Sequence, residues 1–175
     1  WFFETFLLKP YASGYRVFNP QFEYLFNSYY NQVGAQFPRA QRGLLSRPTV
    51  EEVFQYRAHV DAALAALLAG APEQQWPDIA LRVTLGCQHE EQHQELFLTD
   101  IKYNLSVNPL QPAYRDDLLS PARDGGDAFG WIEQPGGIQE VGHAGAGFAF
   151  DNESPRHRVL LPDYALASRL VTNGE

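Results

Sequence analysis

The strongest constraint on this chain is a change of hydrophobic period at Pro109. Ahead of it, apolar residues recur every three or four positions, and helix start and stop residues bound each run. Behind it, glycines and prolines separate short apolar runs, and Ile138 to Gly142 alternates apolar with polar. One segment cannot satisfy both periods, because 3.6 residues per turn and a two-residue pleat bury different faces. The reading is therefore mainly α, with an all-helical part over 1–110, a Pro-, Asp- and Gly-rich linker over 111–130, and the beginning of a β-rich domain over 131–175.

The helical punctuation is specific. Asn19 ahead of Pro20 is an N-cap followed by proline at the first helical position, and Phe22, Leu25, Phe26 and Tyr29 then follow at helical spacing. Gln36 to Pro48 reads as a loop carrying Arg39, Arg42 and Arg47. Thr49 and Glu52 form a capping box. Val53, Tyr56, Val60, Leu64, Leu67 and Leu68 then make an apolar stripe, which ends at Gly70-Ala71-Pro72. The next helix starts near Pro77-Asp78 and runs to about Asn104. In the β-rich part, Ile138 to Gly142 alternates as a strand does, and two more short strands flank Pro162-Asp163.

Composition excludes several partners. Apolar residues are 45% of the chain and charged ones 19%, enough to build a core. The net charge of −8 gives no attraction to a phosphate backbone, so no nucleic-acid partner is expected. The longest apolar stretch, Val60 to Ala71, falls short of the roughly 20 residues a membrane span needs, so no membrane partner is expected either. A single cysteine, Cys87, fits a cytoplasmic, reducing setting. The ends read as cuts in a longer protein: there is no methionine, and Trp1 to Leu8 looks like the middle of an amphipathic helix without an N-cap.

The chemistry concentrates in "GCQHEEQHQELFLTDIKYNL", Gly86 to Leu105. His89 and His93 are one helical turn apart, so their imidazoles project side by side and can share one metal ion. Leu81, Leu85, Leu96 and Asp100 lie on the same stripe, which should face the helical interior, where bundle metal sites are built. Cys87 lies about 200° from His89 and reads as packing. The plainer alternative is a pair of partly buried, hydrogen-bonded histidines. A zinc hydrolase is a further one, since His89-Glu90-Glu91-Gln92-His93 matches H-E-x-x-H, with Glu90 as general base. The continuation Gln94-Glu95-Leu96-Phe97-Leu98-Thr99 lacks the H-x-x-G-x-x-H extension of the metzincins. A third ligand must come from elsewhere; the other histidines are His59, His143 and His157.

Three motifs in order carry a family resemblance. "HEEQHQELFLTDIKYNL" resembles the metal-binding helix of the ergothioneine-biosynthesis sulfoxide synthases. "WFFETFLLKPY" (Trp1 to Tyr11) is similar to the first helix of their DinB-like four-helix bundle. "GFAFDNESPRHRV" (Gly147 to Val159) with "LVTNGE" (Leu170 to Glu175) is similar to the start of their α+β formylglycine-generating-enzyme-like, C-type-lectin-like domain.

The resemblance implies a non-haem iron(II) enzyme that uses O2. It would join the sulfur of cysteine or γ-glutamylcysteine to the imidazole C2 of Nα-trimethylhistidine, giving a sulfoxide. It makes His89 and His93 two of three iron ligands and puts the third upstream of Trp1. It makes Gln92 a contact to trimethylhistidine, and Arg42, with Arg47 second, the holder of the thiol substrate's carboxylate. The catalytic tyrosine of the family falls beyond Glu175. The chemistry agrees: imidazoles suit iron(II), three of them leave positions open on the metal, and a thiol bound to a cation loses its proton readily. A non-catalytic DinB-like module that binds a metal or a thiol remains the alternative from another class.

Overall fold

The structure is a computed structural model, which describes residues 1–118 and 128–172. Residues 119–127 of the expected linker, and the last three residues of the "LVTNGE" match, lie outside the described residues. About half of the described chain is helical and a smaller part is β, so the protein is mainly α with some β. It divides into two compact units, Trp1–Ile101 and Lys102–Glu175.

Helix α1 covers residues 2–11. Its first part, Glu4–Leu8, is wound as a π-helix, closed by the Lys9 N–H donating to the Glu4 carbonyl; Lys9–Tyr11 is α-helical. The wide turn sits just before Pro10, whose ring would meet the carbonyl four residues back in a regular α-helix. Helix α2 is Pro20–Phe26, and the Asn19 side chain accepts from the Gln21 N–H as its cap. Helix α3 is Val50–Gly70. Its capping box forms as expected: the Glu52 N–H donates to Thr49 Oγ1 at 3.2 Å, and the Thr49 N–H to Glu52 Oε2 at 2.6 Å. Helix α4 is Trp76–Val107. Among the described residues, no helix is long and apolar enough to cross a membrane.

The core of the first unit draws on all of these helices: Leu7 and Leu8, Phe22, Tyr56, Val60 and Leu67, and Ile79. Tyr29 does not belong to it. Helix α2 stops at Phe26, and Tyr29 is 75% exposed. The reason is Asn27, whose buried amide donates to the carbonyls of Tyr30 and Gly34 and accepts the N–H groups of Tyr29 and Tyr30. That local network replaces the helical bonds the next turn would have made. Within the expected 36–48 loop, Arg39–Leu44 forms a 3-10 turn.

The second unit holds two antiparallel ribbons. Strand β1, Trp131–Gln134, pairs with β4, Tyr164–Ala167; β2, Gly137–Val141, pairs with β3, His157–Leu161. The three expected strands are present, and β1 is a fourth. The turn at Pro162-Asp163 presses on Gly136: a Cβ there would sit 2.5 Å from the Leu161 carbonyl oxygen. Asp163 Oδ1 accepts the Gly136 N–H at 2.7 Å, so the glycine admits the approach and the aspartate uses it.

Candidate metal centre

Helix α4 buries Ile79 and Gly86, seven residues apart, and Arg82, Val83 and His89 along the same line are half-buried. This line, and not the expected one through Leu81, Leu85, Leu96 and Asp100, is covered. Leu81 is 64% exposed and Leu96 56%, and Leu85 and Asp100 are exposed as well. The face is chosen by Gly86. A Cβ there would lie 2.4 Å from Phe3 Cε1 and 3.0 Å from Phe2 Cε1, so only a bare backbone lets α1 come this close. Cys87, next to it, is exposed and does not pack as expected; it follows Gly86 by one residue, about 100° away from the buried line.

The approach of α1 sets the surroundings of His89. Phe2 is buried and stacks on the imidazole, centroids 4.8 Å apart and planes at 28°. Tyr30 lies at 6.3 Å and His93 at 4.4 Å. His93 is exposed. The two Nε2 atoms are 3.2 Å apart. Burial first, then the neighbouring His93, hold the His89 imidazole below its ordinary value of 6.5. His89 Nδ1 is buried with no hydrogen-bond partner among the described residues.

This geometry fits a metal ion held by two imidazoles. Nitrogens about 2.1 Å from one ion are about 3 Å apart at right angles and about 3.4 Å apart at the tetrahedral angle. The observed 3.2 Å lies between. Without an ion, one Nε2 must carry the proton and donate to the other's lone pair, so the pair disfavours a second proton. Among the described residues, no set of three His, Cys, Asp or Glu side chains is arranged to hold a metal.

The other expected site residues are dispersed. Gln92 is exposed on α4. Arg42 donates from Nη2 to Ser28 Oγ at 2.9 Å, and its Nε is buried without a partner among the described residues. Arg47 pairs with Glu52 at 2.9 Å, at the cap of α3. Among the described residues, no hydrogen bond or ion pair joins these three to one another or to the histidines. His59 packs against Tyr15 and Phe18, and its Nε2 donates to the Arg16 carbonyl at 2.9 Å.

One constellation was not anticipated. Glu4 is 4% exposed and accepts from two phenols, Tyr15 at 2.7 Å and Tyr56. Burial first, then the bond to Glu4, pushes both hydroxyls above their ordinary range. The signal was the lone acidic residue inside "WFFETFLL". Set beside known proteins, the chain matches no family model and no curated protein.

Proposed function

We propose that the chain is part of a non-haem iron(II), O2-dependent sulfoxide synthase of ergothioneine biosynthesis, acting in the cytoplasm. It would join the sulfur of cysteine or γ-glutamylcysteine to C2 of Nα-trimethylhistidine. The observation that carries this reading is the His89–His93 pair, with Nε2 atoms 3.2 Å apart beside a Phe2 wall. The sharing of one core by α1, α2, α3 and α4 supports a DinB-like four-helix bundle. The paired ribbons are compatible with the beginning of a formylglycine-generating-enzyme-like domain.

In this reading His89 and His93 hold the ion, and the third histidine precedes Trp1. Iron(II), when bound, supplies the one-electron chemistry with O2 that neither side chains nor thiol can perform. Phe2 keeps water from one face of His89 and fixes the ring's plane. Gln92 offers its amide to the substrate imidazole. Arg42 has a buried N–H without a partner among the described residues, suited to the carboxylate of the thiol substrate. Arg47 is the second choice, because it must first leave Glu52.

The test is to load the protein with iron(II) without oxygen, then add trimethylhistidine, each thiol and O2. A C–S coupled sulfoxide detected by mass supports the reading. Iron uptake with no coupling would favour a non-catalytic metal- or thiol-binding module, which the lack of a third ligand among the described residues also suits. Zinc uptake with peptide cleavage dependent on Glu90 would favour the hydrolase.

A further inference from the structure

We propose that Glu4 is a positioning residue for the His89–His93 pair. Its hydrogen bonds from Tyr56 of α3 and from Tyr15, in the segment between α1 and α2, fix how α1 is turned and so where Phe2 lies on His89. The consequence for metal binding rests on reading that pair as a ligand set; the geometric claim does not. Helix α1 is gripped from two sides. Phe2 and Phe3 meet α4, at His89 and at Gly86. Glu4 follows Phe2 by two residues, about 200° round the helix, and meets the two phenols. A rotation of this short helix that freed Glu4 from its phenols would therefore swing Phe2 across the imidazole.

The two sides differ in kind. On the α4 side the contacts are apolar, and apolar burial follows area without a preferred direction. Phe2, Phe3 and Phe6 sit side by side there, with Phe2 at 5.7 Å from Phe3 and 4.9 Å from Phe6. Area alone does not say which of these like rings should cover His89. On the far side the contacts are directional. Each carboxylate oxygen takes its own phenol: Oε1 accepts from Tyr15 at 2.7 Å and Oε2 from Tyr56.

Burial makes these bonds hold. Glu4 is 4% exposed, so its carboxylate cannot exchange the phenols for water, and losing one would leave a buried polar group unsatisfied. The donors are held in turn. Tyr56 is buried against Phe22 and Phe26, and Tyr15 packs on His59. Further polar ties hold the ends of α1: Trp1 Nε1 donates to the Glu23 carbonyl at 3.0 Å, and Arg82 Nε to the Tyr11 hydroxyl at 3.1 Å. Those two are partly buried, whereas the Tyr56–Glu4 bond is buried and lies in the turn that carries Phe2.

The test separates direction from stability. Glu4→Leu combined with Tyr15→Phe and Tyr56→Phe replaces the whole cluster by apolar groups of similar shape, a change that can be nearly neutral for stability. The readouts are the 1H resonances of the neutral His89 ring in the metal-free protein, which the Phe2 ring current displaces, and zinc affinity by titration. The expected result is a folded protein, checked by its amide spectrum, whose His89 resonances move toward those of an unstacked histidine. Zinc should bind it at least about tenfold more weakly. A cluster that serves stability alone would leave both readouts at the parent values, and that outcome overturns the proposal. Tyr56→Phe removes a single hydroxyl and should shift His89 in the same direction; unmoved resonances there overturn the proposal even if the triple variant does not fold. Leu67→Ala, about three turns further along α3, truncates the same core and should leave the His89 resonances in place. An equal shift in Leu67→Ala would reduce Glu4 to a core residue and overturn the proposal. If the parent takes up no zinc, the metal reading of the pair fails, while the resonances still decide the role of Glu4.

Discussion

The Phe2 ring lies over the His89 imidazole at 4.8 Å with 28° between planes, while His89 Nδ1 is buried with no hydrogen-bond partner among the described residues. A metal-binding histidine is ordinarily oriented through its second nitrogen. In the proposed site that task would fall to an aromatic face carried by another helix. The quality of the site therefore depends on how closely α1 lies on α4, and that distance is set at Gly86.

Gly86→Ala should accordingly harm both stability and metal binding. The new methyl would meet Phe3 Cε1 at 2.4 Å and Cζ at 2.7 Å, so the rings must shift. Overpacking costs about 1–3 kcal/mol, against a gain of about 1 kcal/mol in helix propensity. The net expectation is a loss of up to about 2 kcal/mol, with weaker metal affinity because Phe2 is displaced from His89. Urea unfolding and metal titration check this; a variant more stable than the parent with unchanged affinity would refute the close-approach account.

Glu4 should be coupled to its phenols. Hydrogen bonds to a charged group are worth about 1.5–3 kcal/mol, and Glu4 accepts from Tyr15 and Tyr56 in the core. Glu4→Gln and Tyr56→Phe should each destabilise by about that much, and the double variant by clearly less than the sum. Additive losses would sink the idea. The raised phenols also fix a pH response: the unfolded chain releases their protons near pH 10, the folded one only higher. Stability is thus full below pH 10 and falls as pH rises past it, less steeply in Tyr15→Phe.

What could be read in advance was local. Asn19 and Thr49 announce their helices because capping involves neighbours two or three residues away. The strands around Pro162-Asp163 show as two short apolar runs either side of a turn dipeptide. The spacing of His89 and His93 is likewise a property of one helix. The failures share a cause: each depends on a distant partner. Leu81 and Leu85 are as apolar as Ile79, and only the docking of α1 at Gly86 decides which line is covered. Tyr29 keeps helical spacing, yet Asn27 diverts the backbone through carbonyls up to eight residues ahead. Glu4 looks like the polar side of an amphipathic helix until Tyr56, fifty-two positions on, donates to it.

The α3 cap should weaken in acid. Thr49 backbone and side-chain bonds, with Arg47 adding to them, hold Glu52 down to about 2. A carboxylate depressed in the folded state stabilises it above the unfolded value of 4.5, and that contribution is lost as pH falls toward 2. Glu52→Gln should flatten the acid limb of a thermal-melting series over that window. Thr49→Ala should cost about 1 kcal/mol at neutral pH. An acid limb unchanged by both substitutions would show that the capping box contributes nothing in solution.

His89 should take up its proton less readily than an ordinary histidine. Burial comes first among the causes that lower His89, and His93 second. The His89 midpoint, followed by its ring resonances, is therefore expected below 6.5. In His93→Ala it should rise yet stay below 6.5, because burial against Phe2 remains. The sign for stability follows: the unfolded chain takes up the proton more readily, so this contribution is full above pH 6.5 and is lost as pH falls through the folded midpoint. Metal binding should share that dependence, since an ion and a proton compete for the same lone pairs. Metal affinity should level off above about pH 7 and drop below it, and His93→Ala should lower it at least about tenfold at every pH. A His89 midpoint at or above 6.5, or metal affinity indifferent to His93, would remove the pair as a ligand set.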